Sequence, residues 1–246
     1  MSLQPWRLGI VTRVEQATHN TRRYWIKIPE LERFDFLPGQ FVTLDLPIHE
    51  KSNKRWRSYS IASWPDGSNE FELLIVHLEG GLGTGYLFNE VREGSELTLR
   101  GPVGVFTLPE TLDRDLYFIC TGTGIAPFRS MLHHIERNNV PHRGLNLIFG
   151  TREQKDLLYY DEFRALEERL PAFRFTPTLS RERWEGCCGY VHTVYEEQVL
   201  ATQNGNAELP PSKFYLCGWK NMVDEAKERI LKMGFDKKDI TLELYG

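Results

Sequence analysis

The sequence contains little cysteine, no long apolar run and no excess of positive charge. Its four cysteines, at positions 120, 187, 188 and 217, lack the C-x-x-C spacing of zinc sites and iron–sulfur clusters. No segment approaches the ~18 apolar residues that a membrane-spanning helix needs. Residues 1–7 lack the apolar core of a signal peptide. We therefore expect no metal site, no membrane insertion and a reducing, cytoplasmic location.

The charge balance argues against a nucleic-acid partner. Acidic residues number 34 and basic residues 30, which gives a net charge of -4, whereas nucleic-acid binders are usually basic. Hydrophobic residues make up 41% and charged residues 26%, which is typical of a globular protein and excludes a disordered chain or a fibre. A length of 246 residues favours one or two domains.

The first half of the chain, residues 1–108, has the pattern of an antiparallel barrel. Short β-rich runs alternate with turn sequences rich in glycine and proline, and evenly spaced short strands are typical of barrels. Strands are predicted at residues 8–14, 23–28, 41–46, 58–62, 71–78 and 96–100, with a short helix at 86–91.

The second half, residues 109–246, alternates strands and helices. Residues 116–120 form an apolar run that is typical of a strand buried on both faces, and apolar residues recur at helical spacing over 128–135. Such alternation predicts a doubly wound parallel α/β sheet. Further strands are predicted at 145–149, 173–179, 214–217 and 240–245, and helices at 160–170 and 221–233.

A glycine-rich turn, Thr-Gly-Thr-Gly-Ile-Ala-Pro at 121–127, joins the first buried strand to its helix. Glycines let backbone N–H groups approach a pyrophosphate, and the helix N-terminus adds partial positive charge. Pro127 suits a first helical turn, but it occupies the place of the third glycine in the dinucleotide fingerprint. A plain strand-to-helix turn stays an alternative interpretation.

The first half contains an unusual strand, Arg57-Ser58-Tyr59-Ser60. An arginine can hold a phosphate through two parallel hydrogen bonds. A tyrosine can cover a planar ring and still use its hydroxyl. An ordinary half-exposed strand is the alternative.

Seven motifs, in order along nearly the whole chain, together resemble the ferredoxin–NADP reductase family of flavoproteins. They include R-x-Y-S at 57–60, G-G-x-x-[ST] at 80–84, C-G-x-x-x-M at 217–222 and E-x-Y at 243–245. The others are Pro-Gly-Gln-Phe at 38–41, the strand at 101–106 and the glycine loop at 122–127. The resemblance implies an FAD-binding barrel over residues 1–108 and an NADP-binding α/β domain over 109–246.

The resemblance also implies residue roles. Arg57 would bind a flavin phosphate, Tyr59 would lie against the isoalloxazine, and Ser60 would sit near N5, the atom that exchanges the hydride. Gly81 and Thr84 would hold the FAD pyrophosphate. The implied catalytic residues are Ser60, Cys217 and Glu243, and the implied cofactor-binding residues are Arg57, Ser58, Tyr59, Ser60, Gly81, Thr84, Tyr245, Gly122, Thr123, Gly124, Pro127, Arg152, Ser180, Arg181, Cys217, Gly218 and Met222.

The last predicted strand supports the resemblance independently. Its period of two places Thr241, Glu243 and Tyr245 on one face, so a carboxylate and an aromatic ring point the same way. An exposed edge strand is the alternative. Tyr245 is followed by Gly246 and is therefore penultimate, so whether it covers the flavin as a terminal tyrosine would stays open.

Two features favour NADPH over NADH. In the NADPH-using branch of the family, a Ser-Arg pair such as Ser180-Arg181 holds the 2′-phosphate. Arg152 stands after the second strand, where an NAD site offers an acidic residue to the ribose. A charged surface loop is the alternative. The loop at 77–80 is short and has no aromatic residue for stacking the adenine, so a bent FAD and FMN stay open.

The sequence thus predicts a flavoprotein that exchanges a hydride between NADP(H) and FAD, and single electrons with ferredoxin or flavodoxin, as a monomer. The nearby cations Lys51, Lys54 and Arg55 are expected to face an acidic carrier. The alternatives are an NADH-dependent reductase component of an oxygenase, which often carries a fused iron–sulfur domain not expected here, and a flavin-binding electron-transfer or regulatory subunit.

Overall fold

The computed structural model describes residues 4–203 and 208–245, with only the backbone of Tyr245. It divides into two compact units. The first contains the chain up to Leu108 together with Ala126–His134, and the second contains Pro109–Ile125 and the chain from Ile135 onward. The predicted domain boundary between residues 108 and 109 stays a prediction.

The first unit is built on a six-stranded antiparallel sheet with the order β4-β3-β6-β1-β2-β5, which confirms the predicted antiparallel, barrel-like fold. An isolated bridge between Ile61 and Leu73 links the two end strands, and the core lies on the enclosed face. The strands are β1 (Arg7–Thr18), β2 (Thr21–Lys27), β3 (Phe41–Asp45), β4 (Trp56–Ser60), β5 (Glu70–Val76) and β6 (Glu96–Val103).

Helix α1 (Leu82–Asn89) begins four residues before its predicted start. Its last carbonyls, which lack partners within the helix, are bound by strand β2. The Arg22 guanidinium donates to the carbonyl of Phe88 at 2.8 Å, and the Tyr24 hydroxyl donates to that of Leu87 at 2.9 Å. Tertiary contacts therefore fix this helix despite its glycines.

The second unit confirms the predicted doubly wound sheet, with six parallel strands in the order β10-β9-β8-β7-β11-β12. The chain runs outward from β7 to β10 and then returns to place β11 beside β7. Such a reversal of strand order opens a ligand crevice at the carboxyl ends of the strands. The strands are β7 (Asp115–Thr121), β8 (Leu145–Thr151), β9 (Phe173–Leu179), β10 (Cys187–Cys188), β11 (Ser212–Trp219) and β12 (Ile240–Tyr245).

Within the described ranges, four helices connect these strands: α2 (Ile125–Arg137), α3 (Tyr160–Arg169), α4 (Val191–Gln203) and α5 (Lys220–Lys232). Helix α4 was absent from the sequence prediction. Its β-branched residues favour a strand, yet Val191, Val194, Tyr195 and Val199 share one helical face and are buried. Packing of that face against the sheet overrides the local preference.

Helix α2 also serves the first unit, to which its residues Ala126–His134 belong. The Arg129 guanidinium donates to a carboxylate oxygen of Glu72 and to the carbonyl of Ala62, both at 2.9 Å. Glu72 is 2% exposed and also pairs with Arg23 at 2.7 Å. The buried carboxylate is therefore matched by two cations.

Of the helices in the described ranges, none is long and apolar enough to cross a membrane.

Candidate functional site

In the first unit, Arg57 of β4 lies against the first turn of α1. A Cβ placed on Gly83 would come within 2.9 Å of Arg57 Cγ and 3.0 Å of its Nε. The guanidinium donates to the carbonyls of Lys54 at 3.1 Å and Trp56 at 2.7 Å. The R-x-Y-S strand and the glycine loop, which are distant in sequence, therefore meet at this turn, and a Cβ at position 83 would displace the arginine side chain from its present place.

The loop that leads into α1 is closed by Thr84. Its hydroxyl accepts the Leu78 N–H at 3.1 Å, and the Gly81 N–H donates to the Leu78 carbonyl at 2.9 Å. The first turn of α1 contains no acidic residue. Backbone N–H groups at a helix N-terminus, beside an arginine, favour an anion. An anionic group such as a phosphate would suit this turn.

Tyr59 follows Arg57 on the same face of β4, because side chains alternate along a strand. Across the sheet it is paired with Val42, which is fully buried, and its ring packs against the first unit's core. Burial raises the pKa of the Tyr59 phenol well above its usual value, and the nearby Arg57 guanidinium opposes part of that shift. A neutral, half-buried ring is suited to contact with a planar apolar group.

The two serines of the motif occupy the other face of β4. Ser58 is paired across the sheet with Thr43, and their hydroxyl oxygens are 3.0 Å apart. Ser60 is paired with Phe41 and is 5% exposed. The structure thus separates Ser58 from Arg57 and Tyr59, and ties its hydroxyl to β3.

In the second unit, the glycine loop lies at the carboxyl ends of β7 and β11. A Cβ on Gly124 would come within 2.2 Å of the Cys217 carbonyl oxygen, so only glycine permits this approach. The residues Gly122–Gly124 form a single 3-10 turn, in which Gly124 is buried and Thr123 is half-buried. The loop therefore sits where the strand order reverses, the usual ligand crevice of such sheets.

Gly218 is the next residue of β11, and it packs just as closely. A Cβ there would come within 2.4 Å of Thr121 Oγ1 and 2.8 Å of Met222 Cε. Thr121 was not predicted as a site residue. Its hydroxyl oxygen is buried and has no hydrogen-bond partner among the described residues. An unsatisfied polar atom at the strand reversal fits the polar group of a ligand. The sequence signal that could have identified Thr121 is its position at the end of the first buried strand.

The start of α2 is also suited to a phosphate. Its first turn contains no acidic residue, and Pro127 is buried within it. The helix dipole therefore favours negative charge at the preceding glycine loop.

Cys217 and Glu243 are neighbours across β11 and β12. The two residues are in register, and Cys120 of β7 is in register with Cys217 on the other side. Residues in register on adjacent parallel strands lie on the same face. Burial raises the pKa of the Cys120 thiol, with a further contribution from Cys217. The side chain of Tyr245 lies outside the described residues.

The residues predicted to bind the 2′-phosphate meet at the ends of β8 and β9. The Arg181 N–H donates to the Arg152 carbonyl at 3.0 Å, and the Ser180 N–H donates to the Thr151 carbonyl at 2.9 Å. Both arginine side chains are exposed. Acidic residues border them, because Glu153 follows Arg152 and a Glu182 carboxylate oxygen accepts the Gln154 N–H at 2.7 Å.

The structure corrects the prediction that Arg55 faces outward beside Lys51 and Lys54. The Arg55 guanidinium binds Asp45 through two hydrogen bonds, of which the Nε–Oδ1 bond measures 2.6 Å. Arg55 is half-buried, whereas Lys51 and Lys54 are exposed. The carboxylate of β3, distant in sequence, was invisible to a local charge count.

Comparison with known proteins finds two family models in the chain. Residues 9–108 match an oxidoreductase FAD-binding domain, and residues 118–228 match an oxidoreductase NAD-binding domain. The chain is 36% identical over 217 residues to ferredoxin–NADP reductase B of Sorangium cellulosum, with 86% of each chain covered. It is 32% identical over 222 residues to the anthranilate 1,2-dioxygenase electron transfer component of Acinetobacter baylyi. That match covers 89% of this chain but only 61% of the other protein.

Among solved structures, the chain is similar to a ferredoxin NADP+ reductase from Neisseria gonorrhoeae with bound FAD and NADP. The two share 27% of their residues with a TM-score of 0.80, and the match covers 97% of this chain and 98% of that one.

Proposed function

The chain belongs to the ferredoxin–NADP reductase family, and on this premise we propose that it exchanges a hydride between NADP(H) and FAD and passes single electrons to ferredoxin or flavodoxin. Membership of this family makes the chain an electron-transfer oxidoreductase with FAD-binding and NAD-binding domains. Bound FAD would supply both two-electron hydride chemistry and one-electron chemistry.

We propose that the first unit holds the FAD through Arg57 and the start of α1. The close packing of Arg57 on Gly83 supports this proposal, because it puts the arginine beside the first turn of α1. Tyr59 would cover one side of the isoalloxazine and exclude water from it. Ser60 would orient the ring at N5.

We propose that the second unit holds NADPH along the ends of its strands. The glycine loop at 122–124 and the start of α2 would bind the pyrophosphate, and Ser180 and Arg181 would bind the 2′-phosphate. Thr123, Cys217 and Glu243 would orient the nicotinamide. Hydride transfer requires the reacting atoms to be ~3–3.5 Å apart, so these residues would act by positioning.

The similarity to the dioxygenase component favours a second candidate, an NADH-dependent reductase that serves an oxygenase. The acidic residues beside Arg152 and Arg181 also favour it, because Glu153 and Glu182 weaken the local preference for a phosphate. The two candidates differ in the nicotinamide cofactor that they select.

The test compares the KM values for NADPH and NADH in the variant Arg181→Ala. Arg183→Ala is the matched control, since both arginines are exposed in one loop. A charged hydrogen bond contributes ~1.5–3 kcal/mol, or about 10- to 100-fold in affinity. Arg181→Ala should raise the KM for NADPH by about that factor and leave the KM for NADH unchanged, while Arg183→Ala changes neither. Equal use of NADPH and NADH by the unmodified protein would favour the oxygenase candidate.

A further inference from the structure

Two adjacent cysteines, Cys187 and Cys188, make up the short edge strand β10. Both are exposed and both thiols are free. The other two cysteines, Cys120 and Cys217, are buried. The proposed function does not use the exposed pair, and a reagent in solution reaches these two sulfurs before the buried ones.

The exposed pair closes the loop that carries Arg181. The Trp184 indole N–H donates to the carbonyl of Cys187 at 2.7 Å, and the Cys188 thiol lies 3.8 Å from the carbonyl oxygen of Glu182. The path of the chain between Arg181 and Trp184 is thus held by β10. Movement of β10 would therefore also move Arg181, because the same loop connects them.

The present geometry of β10 keeps the two sulfurs apart. Cys187 and Cys188 pair with Thr178 and Leu179 of β9 in extended conformation. Successive side chains of a strand point to opposite faces, whereas a disulfide requires Cβ atoms about 3.8 Å apart. The sulfurs can meet only if β10 leaves the sheet edge.

Leaving the sheet edge breaks the pairing of β10 with β9 and the bond from the Gly189 N–H to the Leu179 carbonyl at 2.8 Å. Strand β10 has only two residues and no strand on its outer side within the described sheet. The chain turns directly after β10 at Gly189, whose φ of +109° is one that glycine adopts readily. The resulting disulfide between neighbours would be strained, and strained, exposed disulfides are easily reduced.

We propose that Cys187 and Cys188 form a reversible dithiol–disulfide pair that reacts with small-molecule disulfides such as oxidised glutathione, and that closure of the disulfide displaces Arg181 and weakens NADPH binding. The first thiolate attacks the reagent, which gives a mixed disulfide and releases one thiol. The neighbouring thiolate then attacks the protein sulfur of that mixed disulfide and releases the second thiol. The two protein thiols lose two electrons and two protons, and the reagent gains them.

The first test measures the bond itself. FAD-loaded protein is treated with oxidised glutathione, digested and analysed by mass spectrometry. The peptide that contains both cysteines should lose two hydrogen atoms and regain them with dithiothreitol, while Cys188→Ser should stop at a glutathione adduct on Cys187. Stable adducts on both cysteines of the unmodified sequence, or no reaction, would overturn the pair.

The second test measures the effect on the nucleotide and rests on the proposed function. Oxidation should raise the KM for NADPH about tenfold and leave the KM for NADH unchanged, because only the contact of Arg181 with the 2′-phosphate is lost. Dithiothreitol should restore it, and the double variant Cys187→Ser, Cys188→Ser should not respond. A disulfide without this change would overturn the coupling. If the reduced protein does not distinguish the two nucleotides, the proposed function fails, while the mass measurement still decides the pair.

Discussion

At the scale of single residues, Arg57 is the group on which flavin binding should depend most. It lies against the first turn of α1, where no acidic residue competes for it. Loss of its charged hydrogen bonds is worth ~1.5–3 kcal/mol. Arg57→Ala should therefore weaken FAD binding by about 10- to 100-fold, measured by flavin retained after gel filtration.

The control for Arg57 is Arg33→Ala, which removes an exposed arginine of the same unit that pairs with Asp35. It should keep its flavin. Equal retention of FAD by both variants would remove Arg57 from the phosphate site.

Ser60 and Glu243 should affect the rate of hydride transfer rather than the binding of flavin. Glu243 is in register with Cys217, and Ser60 is buried at the end of β4. A small displacement of reacting groups can cost about 100-fold in rate. Ser60→Ala and Glu243→Ala should each slow flavin reduction by NADPH in single-turnover measurements while FAD stays bound. Normal reduction rates in both variants would exclude these residues from the site.

At the scale of elements, helix α1 contains two glycines whose substitution distinguishes an effect on FAD binding from an effect on stability. A Cβ on Gly83 would meet the Arg57 stem at 2.9 Å, whereas one on Gly85 meets nothing within 4 Å. Alanine is favoured over glycine in a helix by ~1 kcal/mol. Gly83→Ala should weaken FAD binding about tenfold because Arg57 is displaced.

Gly85→Ala is the matched control, and it should raise the Tm of the flavin-free protein without weakening FAD binding. The comparison uses flavin fluorescence for affinity and calorimetry for Tm. If both substitutions weaken FAD equally, the packing of Arg57 on Gly83 is not what holds the phosphate.

The elements show how far the sequence predicts this fold. The apolar run of β7 and the alternation that follows it specify the parallel sheet, because strands buried on both faces differ clearly from amphipathic helices. The start of α1 was missed because its glycines carry no hydrophobic period. Helix α4 was missed because its β-branched residues favour a strand until the sheet buries them.

The candidate site likewise has features that the sequence predicts and features that it does not. Its motifs are local and could be predicted, such as the strand that carries Arg57 and the loop that carries Gly124. Contacts between distant segments could not be predicted, and these include the pairing of Arg55 with Asp45 and the unpartnered hydroxyl of Thr121 beside Gly218.

At the scale of the whole molecule, Lys51 and Lys54 form an exposed positive pair on a chain whose net charge is -4. Positive patches steer acidic partners, and salt screens this attraction over ~10 Å at 0.1 M. The double variant Lys51→Glu, Lys54→Glu should slow reduction of an acidic ferredoxin about tenfold at low salt, while reduction of a neutral dye by NADPH stays unchanged.

The control for this surface is Lys237→Glu, Lys238→Glu, an equal charge change at another exposed pair, which should keep the normal carrier rate. The carrier rate of the unmodified protein should fall as ionic strength rises. A rate that is indifferent to salt would leave the carrier without an electrostatic docking site on this chain.

The central claim, that this chain binds FAD and accepts a hydride from NADPH for delivery to a carrier, is tested most directly by stopped-flow absorbance. FAD-loaded protein is mixed anaerobically with NADPH, and oxidised ferredoxin or flavodoxin is then added. We expect rapid loss of the oxidised flavin absorbance, followed by its return when the carrier is added. A protein that cannot be loaded with FAD, or a bound flavin that stays oxidised in excess NADPH, would contradict the claim.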